Sequence, residues 1–463
     1  MFFTTKTLHR CLCRGYRTLQ PTIKDQLSST PIGSILEAKG FVKSIRNSKN
    51  VSFLDITDGT TSKNINVVLL GKEQPKFQIG QSIAIKGEWN MSKSGSSQEF
   101  ELKYNSKNSD HSYQIIGTVP EDYPLQKKAT SMSFLRTLPS LKHRTSTISS
   151  FYRLRSFLET SMMEFFNSQD FTKVYPPLIT SSDCEGAGET FKISKCEDFF
   201  EKQAYLTVST QLHLESLALA LNRVWSLSPC FRAENSKTSR HLCEFWMLEA
   251  EICYLDDLEP LLDFTESMVK FATKKVVENY KDEYLNGVYI DKEVVESRWN
   301  SILDKEWQRM TYNEAIQLIN EKGVDSLKFG DSLSLDHERF LASHGPIFIT
   351  DYPKSMKPFY MLNSKDYSPE KSTVACFDLL LPEFGELVGG SLREHDYDSL
   401  VNSMKKHQMS IEEMKWYLDL RKNGTIPHGG FGMGWERFIN YLSGHDNVRD
   451  IAPFPRAPSL CNA

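Results

Sequence analysis

The stretch His428-Gly429-Gly430-Phe431-Gly432-Met433-Gly434-Trp435-Glu436-Arg437 determines how the C-terminal half of the sequence is interpreted. Its repeated glycines are followed by an apolar-periodic run to Leu442, a pattern that predicts a strand leading into a helix. A strand lined by glycine lets a flat ring lie against the backbone. Arg437, at the start of the helix, offers a planar guanidinium suited to phosphate. Taken alone, the glycines also fit a strand that simply packs closely against its neighbour.

A second motif lies upstream, where Phe231-Arg232-Ala233-Glu234 precedes the polar loop Asn235 to Arg240 and His241-Leu242-Cys243-Glu244-Phe245 follows it. The order predicts two strands joined by this loop. The loop would bring Arg232 and His241 over a triphosphate and place Phe245 under a base. An isolated arginine or phenylalanine is more often a surface ion pair or a core residue. The ordered set favours a binding site.

A third motif comes earlier still. Residues 152–166 repeat apolar side chains at helical spacing and predict a long amphipathic helix. The extended segment Thr172 to Ile179 follows, and its prolines, Pro176 and Pro177, keep it out of a central strand.

The N-terminal part reads as short strands. Five or six such strands occur in residues 34–118, separated by turn residues such as Asp58-Gly59 and Gly80. This number of strands in a short segment predicts a small barrel such as an OB-fold, with a small sandwich as the alternative. Phe53 in this segment is either a core residue or an aromatic that stacks on an unpaired base.

The first 24 residues are basic and contain no acid, since the first carboxylate is Asp25. Their cations are Lys6, Arg10, Arg14, Arg17 and Lys24, interleaved with apolar side chains. This composition is typical of a mitochondrial transit peptide, and a disordered basic tail is the alternative. We therefore expect residues 1–24 to be a mitochondrial transit peptide.

Composition sets outer bounds. A chain of 463 residues, 40% hydrophobic and 25% charged, has room for two or three globular domains. Its net charge of -4 gives no general attraction to polyanions, so contact with nucleic acid would need local sites. No apolar run is long enough to predict a membrane span. The nine cysteines form no CxxC pair, so zinc is not predicted and a reducing compartment is the simplest expectation.

The three motifs, in this order, resemble those of class II aminoacyl-tRNA synthetases, and residues from about 35 onward resemble the asparaginyl/aspartyl branch of that class. The resemblance implies an α+β protein, with a five-stranded OB-fold β-barrel that grips the anticodon and a catalytic domain whose antiparallel sheet is flanked by helices. The expected boundaries are 34–118 for the barrel, 119–147 for a hinge and 148–463 for the catalytic domain, with a helical insertion at about 259–344.

The resemblance also implies the reaction, in which an amino acid is activated by ATP and passed to tRNA. Activation requires positioning and neutralisation of charge more than a nucleophilic side chain. Arg232 and Arg437 are the expected catalytic residues. The expected ATP-binding residues are Arg232, Glu234, His241, Phe245, Glu386, Gly432, Gly434 and Arg437. Asp378 and Glu386 match the family's Mg²⁺ carboxylates, although by themselves they would read as solvated acids.

Several local strings, among them residues 182–189 and 447–450, point to asparagine as the substrate. Arg393 matches the family arginine that meets the side-chain oxygen of the amino acid. Aspartyl enzymes carry a lysine at the position of Leu214. With that cation absent and Glu234 available as an acceptor, we expect a neutral amide to be preferred over a carboxylate. The candidates for binding the α-ammonium group are Glu185, Gln211 and Glu249.

For tRNA, Phe53 matches the barrel aromatic that stacks on the middle anticodon base, and Asn66 replaces a glutamine often found in the family. Pro177 matches the element through which the family dimerises. We therefore expect a homodimeric enzyme of the mitochondrial matrix that joins L-asparagine to tRNA(Asn) with ATP and Mg²⁺ and makes no membrane contact. An aspartyl-tRNA synthetase and a non-catalytic RNA-binding relative are the alternatives.

Overall fold

The structure is a computed structural model that describes residues 19–92, 98–127, 130–181, 190–365 and 372–462. Most of the predicted leader and the predicted site residue Glu185 lie outside these ranges. The described residues form two compact units. The first runs to residue 149 and includes 282–289, and the second comprises 150–281 and 290–463. No helix in the described ranges has the length and apolarity needed to cross a membrane.

The first unit is built around a sheet of six strands. Its elements are α1 (Ile23–Ser29), β1 (Ile35–Arg46), β2 (Val51–Thr57), β3 (Ile65–Leu70), β4 (Ser82–Met91), β5 (Phe100–Asn105), β6 (Ser112–Gly117) and α2 (Met132–Arg136). Strands β1 to β5 pair in the order β1-β2-β3-β5-β4, and β1 also pairs with β4. That last pairing closes a five-stranded barrel, so the OB-fold prediction is confirmed and the sandwich is wrong. Strand β6 adds to β4.

The barrel closes around an apolar interior because its strands alternate. In β2, Ser52, Leu54 and Ile56 are buried while their neighbours are partly exposed, which is the period of two expected for a strand with one face in a core. Leu54 and Ile56 meet Trp89 from β4 in one cluster. Residues 282–289 also belong to this unit, since Thr61 Oγ1 donates to Glu283 Oε2 at 2.8 Å.

The second unit contains an eight-stranded sheet in the order β12-β13-β14-β15-β16-β11-β10-β7. The strands are β7 (Thr172–Lys173), β10 (Arg223–Phe231), β11 (Glu244–Cys253), β12 (Gln308–Thr311), β13 (Ile347–Thr350), β14 (Cys376–Leu381), β15 (Gly385–Leu392) and β16 (His428–Gly434). The middle six are antiparallel, as predicted. Both edge strands are parallel to their neighbours, because helical crossovers connect β7 to β10 and β12 to β13.

Helices flank this sheet. They are α3 (Ser146–Ser168), α4 (Cys196–Phe200), α5 (Gln211–Leu221), α6 (Glu259–Asn279), α8 (Lys292–Leu303), α9 (Tyr312–Glu321), α10 (Leu335–Leu341), α11 (Tyr397–Lys406), α12 (Lys415–Lys422), α13 (Trp435–Leu442) and α14 (Val448–Ile451). Helix α7 (Lys281–Gly287) belongs, except for its first residue, to the first unit. A small pair, β8 (Ile179–Thr180) and β9 (Tyr205–Leu206), lies apart from the main sheet. The stretch 259–344, expected to be a helical insertion, is mostly helical but also supplies the sheet's edge strand β12.

Helix α3 follows the predicted period. Its apolar side chains at helical spacing, such as Leu154, Leu158 and Met162, are fully buried, and Phe166 stacks on Trp225 of β10 at 4.4 Å between ring centroids. The chain then runs through β7 and leaves the sheet before Pro176, as its prolines predict. Helix α3 thus covers the sheet on the side of β10 and β7.

Candidate active site

Strand β11 carries the site on one face. Phe245, Met247, Glu249 and Glu251 are two residues apart, so their side chains point to the same side of the sheet. In the register with β16, Met247 lies opposite Gly434, Glu249 opposite Gly432 and Glu251 opposite Gly430. The missing side chains of these glycines leave room for their neighbours, since Glu251 lies against Gly430, Met247 against Gly432 and Arg437 against Gly434.

A cavity of about 290 Å³ opens over the first part of this face. Its lining residues are Arg232, Glu234, Ser236, Arg240, His241, Leu242, Phe245, Met247, Glu386, Leu387, Gly432, Gly434, Glu436, Arg437, Val448 and Pro458. All eight residues predicted to bind ATP are among them. Residues from separate motifs, far apart in sequence, thus meet around one cavity.

The backbone holds the two arms of the second motif at the mouth of this cavity. Strand β10 ends at Phe231 and β11 begins at Glu244. Arg232 N donates to Cys243 O at 3.0 Å, which continues the pairing of the two arms beyond the strands. Val448 N donates to Ser239 O at 3.0 Å and ties the loop between them to α14. The Arg232 guanidinium then lies over the Phe245 ring, 5.5 Å from its centroid.

Cations crowd this cavity. The pKa of His241 is lowered by burial and by Arg437, and the pKa of Arg240 is lowered by the same two causes. Burial would raise the pKa of Glu386, but Arg437, Lys357 and other cations lower it. Burial is the larger cause at His241 and Arg240, and the neighbouring cations lower the pKa of all three groups, as a positive field does. Such a field is relieved when an anion binds.

Glu436 has a structural role at the start of α13. Its Oε1 accepts from Arg155 Nη1 at 2.6 Å and its Oε2 from Trp246 N at 2.9 Å. These contacts join α3, β11 and α13. They hold the first turn of α13, from which Arg437 reaches Glu386 with a distance of 3.7 Å between Nη1 and Oε2.

The two predicted metal ligands meet over Gly389. A Cβ built on this glycine would lie 3.4 Å from Asp378 Oδ1 and 3.6 Å from Glu386 Oε1, so the carboxylates converge where no side chain intervenes. Carboxylate oxygens are the hard donors that magnesium takes, and of the two carboxylates Glu386 lines the cavity. Sequence reasoning missed Lys357, whose Nζ donates to Asp378 Oδ2 at 2.8 Å and Oδ1 at 3.1 Å. Burial raises the pKa of Asp378, and Lys357 opposes that rise.

Further along the face the charged side chains are buried. Glu249 accepts from Thr210 N at 2.9 Å and from the hydroxyls of Ser209 and Thr210, so it fixes the start of α5. Gln211, the first residue of α5, donates from Nε2 to Glu215 Oε1 at 3.1 Å. Two of the residues predicted to bind the α-ammonium group thus already have protein partners.

Arg393 lies at the closed end of the face. Its Nε and Nη2 donate to Glu251 Oε1 and Oε2 at 3.1 and 3.0 Å, and its Nη1 donates to Ser391 Oγ at 2.7 Å. Both charged side chains are almost completely buried, at 3% and 1% exposure. Sequence reasoning missed Glu251, although its spacing from Glu249 was a signal that could have found it.

Glu215 is the centre of a second buried group. Its Oε2 accepts from Arg421 Nη2 at 2.8 Å and Tyr417 Oη at 2.7 Å, and His428 Nε2 lies 3.1 Å away. Ligand atoms of Glu215, Glu251 and His428 lie within 4.8 Å of one another, a spacing that would suit a metal. The two carboxylates, however, already carry arginine partners, so the group reads as a set of ion pairs.

Other predicted residues lie elsewhere. Phe53 and Asn66 belong to the barrel, where Arg46 lies 5.7 Å over the Phe53 ring and Asn66 Nδ2 donates to Asp55 Oδ1 at 3.1 Å. Pro177 is exposed after β7. Leu214 is 1% exposed and packs with Ala218, Val224 and Cys253.

The sequence matches two known families. Residues 132–458 match tRNA synthetases class II (D, K and N), and residues 37–108 match the OB-fold nucleic acid binding domain. The first match spans most of the chain and contains the cavity. The chain belongs to the class II tRNA synthetases of the D, K and N group.

Similarity to individual proteins identifies the member of this group that the chain resembles. The mitochondrial asparagine–tRNA ligase of Saccharomyces cerevisiae is 42% identical over 91% of this chain and 92% of its own length. The mitochondrial asparagine–tRNA ligase of Schizosaccharomyces pombe is 40% identical over 95% of this chain and 98% of its own length. The solved structure of asparaginyl-tRNA synthetase from Pyrococcus horikoshii, complexed with asparaginyl-adenylate, is 29% identical, covers 96% of this chain and 100% of that chain, and superposes with a TM-score of 0.84. Within its class, the chain belongs to the asparagine–tRNA ligases.

Proposed function

We propose that this enzyme activates L-asparagine with ATP and then transfers the asparaginyl group to tRNA(Asn). The observation that carries the proposal is the cavity in which Arg232, His241 and Arg437 meet on a glycine-lined sheet face. The arginines that line it suit a triphosphate. Beyond it, the same face leads to Arg393.

In the activation step, the carboxylate of asparagine attacks the α-phosphorus of ATP, and pyrophosphate leaves. The attacking group is already an anion, so the enzyme needs no general base. What it supplies is position and charge neutralisation. Arg232 would hold the α-phosphate and the amino-acid carboxylate, and His241 and Arg437 would hold the γ-phosphate. The adenine would lie between Phe245 and Arg437, over Gly432 and Gly434.

Magnesium would be held by Asp378 and Glu386. When bound, it would neutralise charge on the phosphates and favour loss of pyrophosphate. Glu386 is 42% exposed at its side chain and faces the cavity. Lys357 holds Asp378 in place and opposes the rise of its pKa that burial causes.

The amino-acid end would be formed by Arg393, which donates to the side-chain oxygen of asparagine. Gln211 and Glu249, together with Glu185 outside the described residues, would surround the α-ammonium group. Glu234 lines the cavity beside Arg232, and there it would accept a hydrogen bond from the substrate.

The barrel would read the anticodon, with Phe53 stacking on a base and Asn66 contacting it through the amide. The Asn66 Nδ2 contact with Asp55 leaves its amide oxygen as the acceptor for such a contact. In this role Phe53→Ala should lower aminoacylation of tRNA without changing amino-acid activation.

We also propose that the enzyme is a homodimer of the mitochondrial matrix. Tyr175, which is 81% exposed, and Pro177 form a surface after β7 that a second copy could cover. The matrix address is supported by the acid-free basic start of the sequence and by the mitochondrial relatives. A fusion of residues 1–24 to a fluorescent protein would test the address.

The activity is tested by ATP–pyrophosphate exchange with asparagine and with aspartate, followed by charging of tRNA(Asn). We expect exchange with asparagine far above that with aspartate. Equal exchange with both would contradict the substrate. No exchange with either, by a folded protein that still binds tRNA, would favour a non-catalytic relative.

A further inference from the structure

Helix α10 places the carboxylate of Glu338 against the backbone of a residue that lines the cavity. Glu338 Oε2 accepts a hydrogen bond from the N–H of Glu386, with 3.0 Å between oxygen and nitrogen. The same helix holds the chain just before Glu386, because Arg339 Nε donates to Glu383 O at 2.8 Å. Helix α10 thus fixes, at two points, the turn that leads from β14 into β15.

Strand β15 has a bulge at this place. Leu379 pairs with Val388 and Leu380 pairs with Glu386, so Leu387 is an extra residue in the strand. Glu386 and Leu387 are consecutive in the sequence, and both line the cavity. A bulge re-aims side chains but disrupts the ladder locally. We therefore expect the contact from Glu338 to matter more here than it would beside a regular ladder.

Gly385 provides the space that Glu338 occupies. Its φ of +87° lies in the left-handed region, and a Cβ built on it would lie 2.4 Å from Glu338 Oε2. The same Cβ would lie 3.4 Å from Arg240 Nη1. Arg240 lines the cavity, and its guanidinium lies 5.3 Å from the centroid of the Phe384 ring. Glu338 and Arg240 therefore pack on one turn, the first from α10 and the second from the loop between β10 and β11.

Helix α10 is itself anchored at both ends. Ser334 Oγ accepts from His337 N at the start of the helix, and His337 Nε2 lies 3.1 Å from Asp325 Oδ2. Leu341, at the other end, belongs to a buried apolar cluster. A side chain on an anchored helix can define the position of the backbone that it contacts.

We propose that Glu338 is a positioning residue for the binding of ATP with magnesium, which holds the backbone at Glu386 so that the Glu386 side chain faces the cavity. The inference rests on the proposed function, in which Glu386 is a magnesium ligand beside the ATP phosphates. The hydrogen bond carries this role, because a backbone N–H requires an acceptor oxygen and not an anion. The stretch 259–344 thereby takes part in the reaction.

Three substitutions of Glu338 separate the hydrogen bond from the charge. Glu338→Ala removes the acceptor, and Glu338→Asp keeps the charge on a side chain that is one methylene shorter. Both should raise the KM for ATP in pyrophosphate exchange about tenfold and change the KM for asparagine less than about twofold, because a partly buried N–H loses its acceptor. Glu338→Gln keeps an oxygen at the same reach, so its KM for ATP should stay close to that of the unchanged enzyme.

Calorimetric titration with ATP and Mg²⁺, without asparagine, gives a readout that does not depend on turnover. The Kd should rise about tenfold in Glu338→Ala and in Glu338→Asp, and Glu338→Gln should bind like the unchanged enzyme. The matched control is Asp336→Ala, which removes a carboxylate that is 91% exposed on the same helix and should change neither the KM for ATP nor the Kd.

An unchanged KM for ATP and an unchanged Kd in Glu338→Ala and Glu338→Asp would overturn the proposal, even if stability or kcat fell. An increase in Glu338→Gln as large as in Glu338→Ala would also overturn it, since the charge would then be what matters. If Glu338→Ala does not fold, Glu338→Asp and Glu338→Gln give the same comparison. If the unchanged enzyme binds ATP but shows no exchange, the proposed function fails, and the calorimetric comparison still decides the role of Glu338.

Discussion

The two ends of one sheet face treat charge in opposite ways. At the open end, Arg232, Arg240 and Arg437 line a cavity in which burial and Arg437 lower the pKa of His241 and of Arg240. At the closed end, Arg393 and Arg421 are buried and each is bonded to a glutamate. The difference teaches that one sheet face can carry cations that line an open cavity beside cations that are buried in ion pairs. What separates them is how deeply the ion pairs are buried, since Arg437 and Glu386 at the open end are 25% and 42% exposed while the pairs at the closed end are almost completely buried.

Removing a cation from the closed end of the face should lower the stability of the protein. Arg421→Met takes away the arginine that donates to Glu215 at 2.8 Å and leaves that carboxylate buried without its strongest partner. We expect a loss of about 3–5 kcal/mol in the free energy of unfolding. Chemical denaturation measures it. Lys274→Met, which removes a cation from an exposed pair on α6, is the control and should change stability by less than about 0.5 kcal/mol.

Removing a cation from the open end should instead lower the catalytic activity and leave the fold intact. Arg437→Ala removes a cation that faces the cavity, so the fold should persist while pyrophosphate exchange falls by about 10²–10³-fold. Arg309→Ala, at the edge strand β12, is a control for loss of an arginine. Exchange by Arg437→Ala at the level of the unchanged enzyme would remove Arg437 from the phosphate site and weaken the contrast between the two ends.

Two glycines of β16 allow a matched comparison of the ends. In Gly430→Ala the new methyl meets Glu251 Oε2 and the backbone oxygen of Ala250, which cannot move aside cheaply, so we expect a loss of about 1–3 kcal/mol of stability. In Gly432→Ala the nearest atom is the flexible Cε of Met247, at 2.7 Å. That variant should keep more stability but raise the KM for ATP, because its methyl enters the cavity. Thermal unfolding and exchange kinetics distinguish the two results, and the reverse order would contradict the assignment of the ends.

The smallest effect is expected at Ser391. Ser391→Ala removes one hydrogen bond to Arg393 and leaves the pair with Glu251 intact, so the KM for asparagine should rise by the equivalent of about 1 kcal/mol. Ser301→Ala, which removes a hydroxyl that contacts Tyr441 on α13, should leave this KM unchanged. Replacing Glu251 by Gln removes the charge of the carboxylate that accepts two hydrogen bonds from Arg393, and a larger loss at Ser391 than in that variant would mean that the hydroxyl orients Arg393.

Much of the cavity lining could be predicted from the sequence, because its residues occur in short motifs. The residues of the second motif flank one loop, and Gly432, Gly434 and Arg437 follow one strand, so local patterns bring them together. Lys357 could not be predicted, since it lies in a segment without a regular pattern and meets Asp378 only after β13 and β14 pair. Strand β12 could not be predicted either. It has only four residues and lies between helices, so the sequence shows almost no alternation of apolar and polar side chains there.

The sequence by itself determined the class of the protein, the barrel and the order of the parts. Alternating apolar residues, glycines and ordered motifs are local patterns, so they can be recognised in the sequence before it is known which strands pair. The tertiary structure alone decided how charge is matched, since Glu251 and Arg393 are 142 residues apart and Glu215 and Arg421 are 206 apart. Such pairs depend on strand register and helix packing. A glutamate that neutralises an arginine therefore looks, in the sequence, like any other acid on a strand.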